Sequence, residues 1–132
     1  MSEKKRIEVA IALVFRGAEL LITRRPQGTH LEGYWEFPGG KVRATETPEA
    51  CAEREVLEEV GLRVRARARR AVIEHDYPER SVRLYPIDCV YEAGEFVLDG
   101  VSDARWVALA QLAKFDFPEA NGALIAELLA DA

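Results

Sequence analysis

Apolar and polar positions follow two periods along this chain, and the changes between them mark its elements. Residues 7–15 (IEVAIALVF) form a nearly unbroken apolar run rich in β-branched side chains, and residues 19–23 (ELLIT) form a second, with Arg16, Gly17 and Ala18 between them. Such runs predict two buried strands joined by a turn. Residues 26–33 hold Pro, Gln, Gly and Thr with little apolar content, which predicts a loop of functional length; Gly39 and Gly40 close the short apolar stretch after it. Thr47 and Pro48 then open a helix, Thr as N-cap and Pro in the first turn, with Glu49 and Glu53 near the positive end of its dipole and Gly61 at its stop.

From Leu62 strand alternation returns, with Val64, Ala66 and Ala68 on one side and Arg63, Arg65, Arg67 and Arg69 on the other. Residues 81–91 and 104–107 predict further strands. The chain turns at 115–118, and residues 119–129 carry Leu124, Ile125, Leu128 and Leu129 at helical spacing. Strands and helices mixed in this way predict an α/β (α+β) fold: an α/β/α sandwich in which helices cover both faces of a mixed central sheet.

The 132 residues suit one domain spanning 1–132, and 48% apolar with 31% charged residues is the balance of a packed protein. A net charge of −5 supplies no whole-surface attraction for nucleic acid or anionic lipid, so neither is expected as a partner. The arginines at 63–70 alternate with apolar residues and read as one wet strand face. No apolar run approaches the roughly 18–20 residues of a spanning helix and no leader pattern appears, so the expected location is cytoplasmic. Cys51, Cys89, His30 and His75 are each isolated in sequence, which argues against a disulfide framework or a zinc site and leaves oxygen ligands for any metal. Tyr34, Trp35, Trp106 and His75 read as structural.

The densest chemistry lies in Arg54-Glu55-Val56-Leu57-Glu58-Glu59. On a helix, Ala52, Val56 and Val60 make an apolar stripe, and Glu55, Glu58 and Glu59 share the neighbouring face through i, i+3 and i+4 spacing. At about 6 Å in a cleft of effective dielectric near 20, each pair would repel by about 3 kcal/mol, which a divalent cation offsets. A solvated acidic face is the plain alternative.

The spacing Gly40-x5-Glu46-x7-Arg54-Glu55-Val56-x-Glu58-Glu59-x-Gly61-Leu62 resembles the box of the Nudix hydrolases at every fixed position, over residues 40–62. The resemblance implies a loop–helix–loop that holds Mg2+, with Mn2+ as substitute, and a hydrolase of nucleoside diphosphates linked to a further group. By position it implies metal ligands at Glu55, Glu58 and Glu59 with a Gly39 or Gly40 carbonyl, a supporting pair of Glu46 and Arg54, and Glu55 as first choice for general base.

Outside the box the chain is similar to the MutT branch of that family, through Ile22-Thr23-Arg24-Arg25, His30, Glu36-Phe37-Pro38-Gly39-Gly40-Lys41, Tyr77-Pro78-Glu79-Arg80 and Phe117-Pro118-Glu119-Ala120-Asn121. That branch hydrolyses 8-oxo-dGTP to 8-oxo-dGMP and pyrophosphate, which implies a small nucleotide substrate, a part in nucleotide-pool sanitation and DNA repair, and a monomer or dimer. Arg25 would meet the phosphates, Arg80 and His30 would line the nucleotide site, and Phe37 and Phe117 could sandwich the base or be core. Asn121 either reads the base through its amide or caps the last helix. The branch's outer metal-binding glutamate has no ungapped counterpart, leaving Asp99 or Glu95. Another nucleotide (CTP, dCTP, ADP-ribose) and a non-catalytic nucleotide sensor stay open as alternatives.

Overall fold

A computed structural model describes residues 4–132. Its elements run β1 (Lys5–Arg16), β2 (Glu19–Arg24), β3 (Trp35–Glu36), β4 (Gly39–Lys41), α1 (Pro48–Val60), β5 (Arg63–Arg69), β6 (Ile73–Asp76), β7 (Arg80–Ala93), β8 (Asp103–Ala108) and α2 (Gly122–Ala130), with 3-10 turns at Leu109–Lys114 and Glu119–Asn121. All eight strands join one mixed sheet. β1 lies parallel to β7 from Lys5↔Arg80 to Phe15↔Val90, and β4 pairs antiparallel with β1 through Ile11↔Gly39, Ala10↔Gly40 and Val9↔Lys41. β2 is flanked by β8 and by β3, with Thr23 opposite Glu36.

β1 has no polar side because both faces of the sheet are covered. Ala10, Ala12 and Val14 join the core with Cys51, Ala52, Val56 and Val60 of α1, where small residues let the helix approach. Leu13 joins the second core, with Leu124 and Leu128 of α2, and Ile11 and Phe15 pack against it. The α/β/α sandwich is therefore the observed fold.

The alternation in β5 does not persist. A register shift between Ala66 and Ala68 leaves Arg67 unpaired and turns the rest of the strand over. Ala68 is exposed, and Arg69 pairs with Glu49 of α1. Arg70 pairs with Asp88 at 2.7 Å, with Glu127 of α2 and with Asp131 just after it, tying that helix to β7. The single wet arginine face is corrected accordingly: it ends at the bulge. Among the described residues, no helix is long and apolar enough to cross a membrane, and both cysteines are free and buried.

Candidate active site

The local sequence fixes α1 at both ends. Thr47 Oγ1 accepts the Ala50 N–H at 3.1 Å, and Gly61 takes the left-handed conformation at φ 76° that a C-cap favours. Burial of Cys51, Ala52, Val56 and Val60 against the sheet sets the helix rotation, and the acidic face turns toward β4. The glycines of β4 make the contact possible. A Cβ on Gly39 would stand 2.2 Å from the Ala10 carbonyl oxygen, and one on Gly40 would stand 2.6 Å from Glu55 Oε1.

Arg54 gathers three carboxylates. Its Nε and Nη2 donate to Glu46 at 3.0 and 2.6 Å, and its Nη1 donates to Glu55 at 2.8 Å and Glu58 at 3.1 Å. Hydrogen bonding from Arg54 and from the Arg43 N–H pulls the Glu46 pKa down to about 2, so this carboxylate stays charged and ties the loop before α1 to the helix. Glu58 is the most exposed of the three box glutamates, its side chain 49% accessible against 17% for Glu55.

Glu59 is held differently. Burial, a hydrogen bond shared with Glu55 and the negative charge of Glu55 raise its carboxyl well above the usual range; the Gly39 N–H, donating at 3.2 Å, opposes this, and Glu36 adds further negative charge. Glu55 and Glu59 thus form a crowded carboxylate pair that holds together only with a proton or a cation between its oxygens. Hard oxygen donors of this kind, packed against the glycines of β4, fit a divalent cation such as Mg2+. Among the described residues no three acidic, His or Cys side chains are already gathered in a metal-holding arrangement; Glu55 and Glu58 are engaged by Arg54. Both outer-ligand candidates lie on the segment that packs against the end of α1: the Asp99 N–H donates to the Glu59 carbonyl at 2.8 Å, and the Glu95 carbonyl lies against Gly61.

Next to the carboxylates opens a cleft of about 310 Å³ lined by Ile11, Arg25, His30, Leu31, Glu36, Phe37, Leu84, Pro118, Ala120 and Asn121. Its mostly apolar wall with a few converging polar groups is the composition of a small-molecule site. Arg25, His30, Phe37 and Asn121 are therefore brought together. Asn121 stands at the N-cap position of α2, as the cap alternative expects, but its backbone is helical and its side chain makes no capping bond. Two expectations are corrected. Phe37 and Phe117 stack directly on each other, centroids 5.2 Å apart, and leave no slot for a base between them; Phe37 walls the cleft and Phe117 backs it. Arg80 lies exposed at the start of β7, over the Tyr77 ring and four residues along the strand from Leu84, outside the cleft wall; Pro78 shares that turn.

Sequence reasoning assigned no role to Glu36, Leu31, Ile11 or Leu84. Glu36 left one signal, a lone charge between Trp35 and Phe37 in an otherwise apolar stretch. Ile11 and Leu84 reach the cleft through the long-range pairing of β1 with β7, which no local pattern encodes, and Leu31 reaches it from the loop between β2 and β3.

Comparison with known proteins agrees with this geometry. The model of the NUDIX domain family matches residues 10–127. The 8-oxo-dGTP diphosphatase of Escherichia coli K12 is 33% identical over 125 residues, which are 94% of this chain and 97% of that protein. The CTP pyrophosphohydrolase of the same organism is 40% identical, but over 58 residues, 44% of this chain and 43% of that one. A solved MutT structure, from work on Aliivibrio salmonicida and Vibrio cholerae, superimposes with a TM-score of 0.73 at 32% identity, covering 97% of this chain and 100% of that one.

Proposed function

The chain belongs to the NUDIX family, and from that premise we propose that it is a nucleoside triphosphate pyrophosphohydrolase that converts 8-oxo-dGTP to 8-oxo-dGMP and pyrophosphate with Mg2+ as cofactor. The observation that carries the proposal is how one strand pair joins two features: Ile11 lines the cleft whose wall holds Asn121, and its partner Gly39 donates its N–H to Glu59 of the Glu55/Glu59 pair at 3.2 Å.

Asn121 supplies the choice of base. Guanine offers acceptors at both O6 and N7, whereas 8-oxoguanine carries a proton on N7. One amide can donate from its NH2 to O6 and accept from N7–H with its carbonyl. Normal guanine would face the Asn carbonyl with a second acceptor, and an unmatched buried polar contact costs about 1–3 kcal/mol.

Glu55, Glu58 and Glu59, with a Gly39 or Gly40 carbonyl and Asp99 as outer ligand, would hold Mg2+. When bound, Mg2+ neutralises the phosphate oxygens and lowers the pKa of water. Arg25 binds the phosphate chain from the cleft wall. Glu55 takes the proton of the attacking water, and Arg54, charged and anchored by Glu46, keeps the Glu55 carboxylate in place. Water adds to a phosphorus of the α–β anhydride as that P–O bond breaks, which gives 8-oxo-dGMP and pyrophosphate. Its work belongs in the cytoplasm, where the nucleotide pool is found.

The test is product analysis of the purified protein with 8-oxo-dGTP, dGTP, CTP, dCTP and ADP-ribose. The proposal expects Mg2+-dependent release of 8-oxo-dGMP and pyrophosphate at the highest kcat/KM of the set. A higher kcat/KM on CTP or ADP-ribose would replace this substrate by that one.

A further inference from the structure

Glu36 presents a problem for a site that binds a polyanion: a carboxylate in the cleft wall repels phosphate unless its charge serves another group. That group is Arg25. The Arg25 Nε–H donates to the His30 carbonyl at 3.2 Å, and the same nitrogen lies 3.5 Å from Glu36 Oε2. One hydrogen bond and one ion-pair contact thus hold the inner edge of the guanidinium, and among the described residues neither Nη takes a protein acceptor.

Both partners stand on rigid backbone. Glu36 sits opposite the fully buried Thr23, whose hydroxyl donates to the Glu36 carbonyl at 3.4 Å. Arg25 is framed by its own N–H donating to the Tyr34 carbonyl and by the Gly33 N–H donating to the Arg25 carbonyl. A guanidinium so oriented presents its outer two nitrogens as a preformed fork, the geometry that matches phosphate oxygens bidentately. Left free, the long side chain would lose rotamer freedom each time a ligand bound.

We propose that Glu36 is a positioning residue for phosphate binding, which acts through Arg25 by holding its Nε edge so that both Nη groups face the substrate. The inference rests on the reading of the cleft as a nucleotide site. It concerns the phosphates that all candidate nucleotides share and not the base.

A double-variant cycle tests it. Wild type, Glu36→Ala, Arg25→Ala and the double variant are compared in kcat and KM on whichever of 8-oxo-dGTP, dGTP, CTP, dCTP and ADP-ribose the wild type hydrolyses with the highest kcat/KM. The identity of that nucleotide judges the substrate, and the cycle judges the pair. Glu36→Ala alone should raise KM about tenfold, the loss of one charge-assisted contact, with kcat within about threefold. In the Arg25→Ala background it should raise KM no further. The same KM increase in both backgrounds, or an unchanged KM in Glu36→Ala with or without a fall in kcat, overturns the inference; a wild type that hydrolyses none of the five overturns it together with the substrate. Circular dichroism and melting confirm folding, and Glu36→Gln replaces Glu36→Ala in the cycle should the alanine variant not fold.

Discussion

The Glu55 carboxylate occupies the space where a side chain on Gly40 would begin: a Cβ there would stand 2.6 Å from Oε1 and 2.9 Å from Oε2. The neighbouring Gly39 is tight for another reason, since its Cβ would meet the backbone of Ala10 and Ile11. The two substitutions should therefore separate activity from stability. In Gly40→Ala the carboxylate, a flexible side-chain end, swings aside, and kcat should fall by at least about tenfold, or about 1.4 kcal/mol of barrier, with a small change in melting temperature. In Gly39→Ala the β1–β4 pair must open, costing about 2 kcal/mol in urea unfolding. Equal stability losses in the two variants would contradict this division.

The crowded Glu55/Glu59 pair makes the metal-free protein sensitive to alkali. Folded Glu59 keeps a proton above the ordinary carboxyl value of 4.5, where the unfolded chain releases it. The folded state then binds more protons, and this group's contribution to stability falls as pH rises from about 5 through neutrality. Urea titrations should show wild type losing stability relative to Glu59→Gln over that window without metal. Saturating Mg2+ should remove the trend, and its binding at pH 7 should release a proton, read by calorimetry in buffers of different ionisation enthalpy. A relative stability that rises with pH is the contrary result.

Glu46 titrates in the opposite direction. Arg54 holds its pKa near 2 against the ordinary 4.5, so its contribution is present above about pH 4.5 and is lost as pH falls toward 2. The gap in stability between wild type and Glu46→Gln should be full at pH 6 and close progressively below pH 4.5. A gap independent of pH would mean that the side chain acts through packing alone.

Burial raises the thiols of Cys51 and Cys89 to about 11 and about 12. Thiolate is the reactive form, so neither cysteine should be alkylated by iodoacetamide in the native protein at pH 8, and both should be in urea. Mass spectrometry of the native reaction counts the adducts; rapid labelling of either residue contradicts the burial.

Much of the fold was legible from local signals. Thr47, Pro48 and Gly61 bracket α1 and the glutamate spacing places one acidic face, because caps and helical period act within a few residues. β3 and β4 were not legible: they are two and three residues long, interrupted by Pro38, and exist through partners on β1 and β2 far away in sequence. The bulge in β5 was hidden because the Arg/Ala alternation reads the same on both sides of it. The cleft was half legible. Arg25, His30 and Asn121 could be named by resemblance, but Glu36 meets Arg25 only once β2 and β3 pair, and Phe117 stacks on Phe37 only once α2 covers the sheet.

The proposed function turns on the amide of Asn121, which lines the cleft and would select the oxidised base. The direct measurement is the ratio of kcat/KM for 8-oxo-dGTP to that for dGTP in wild type and in Asn121→Ala, with Mg2+ present. Asn121→Ala should lower this ratio by roughly 10- to 100-fold, the worth of one mismatched polar contact, while kcat on dGTP stays within about threefold. A ratio unchanged by Asn121→Ala, or an equal loss on both nucleotides, would contradict it.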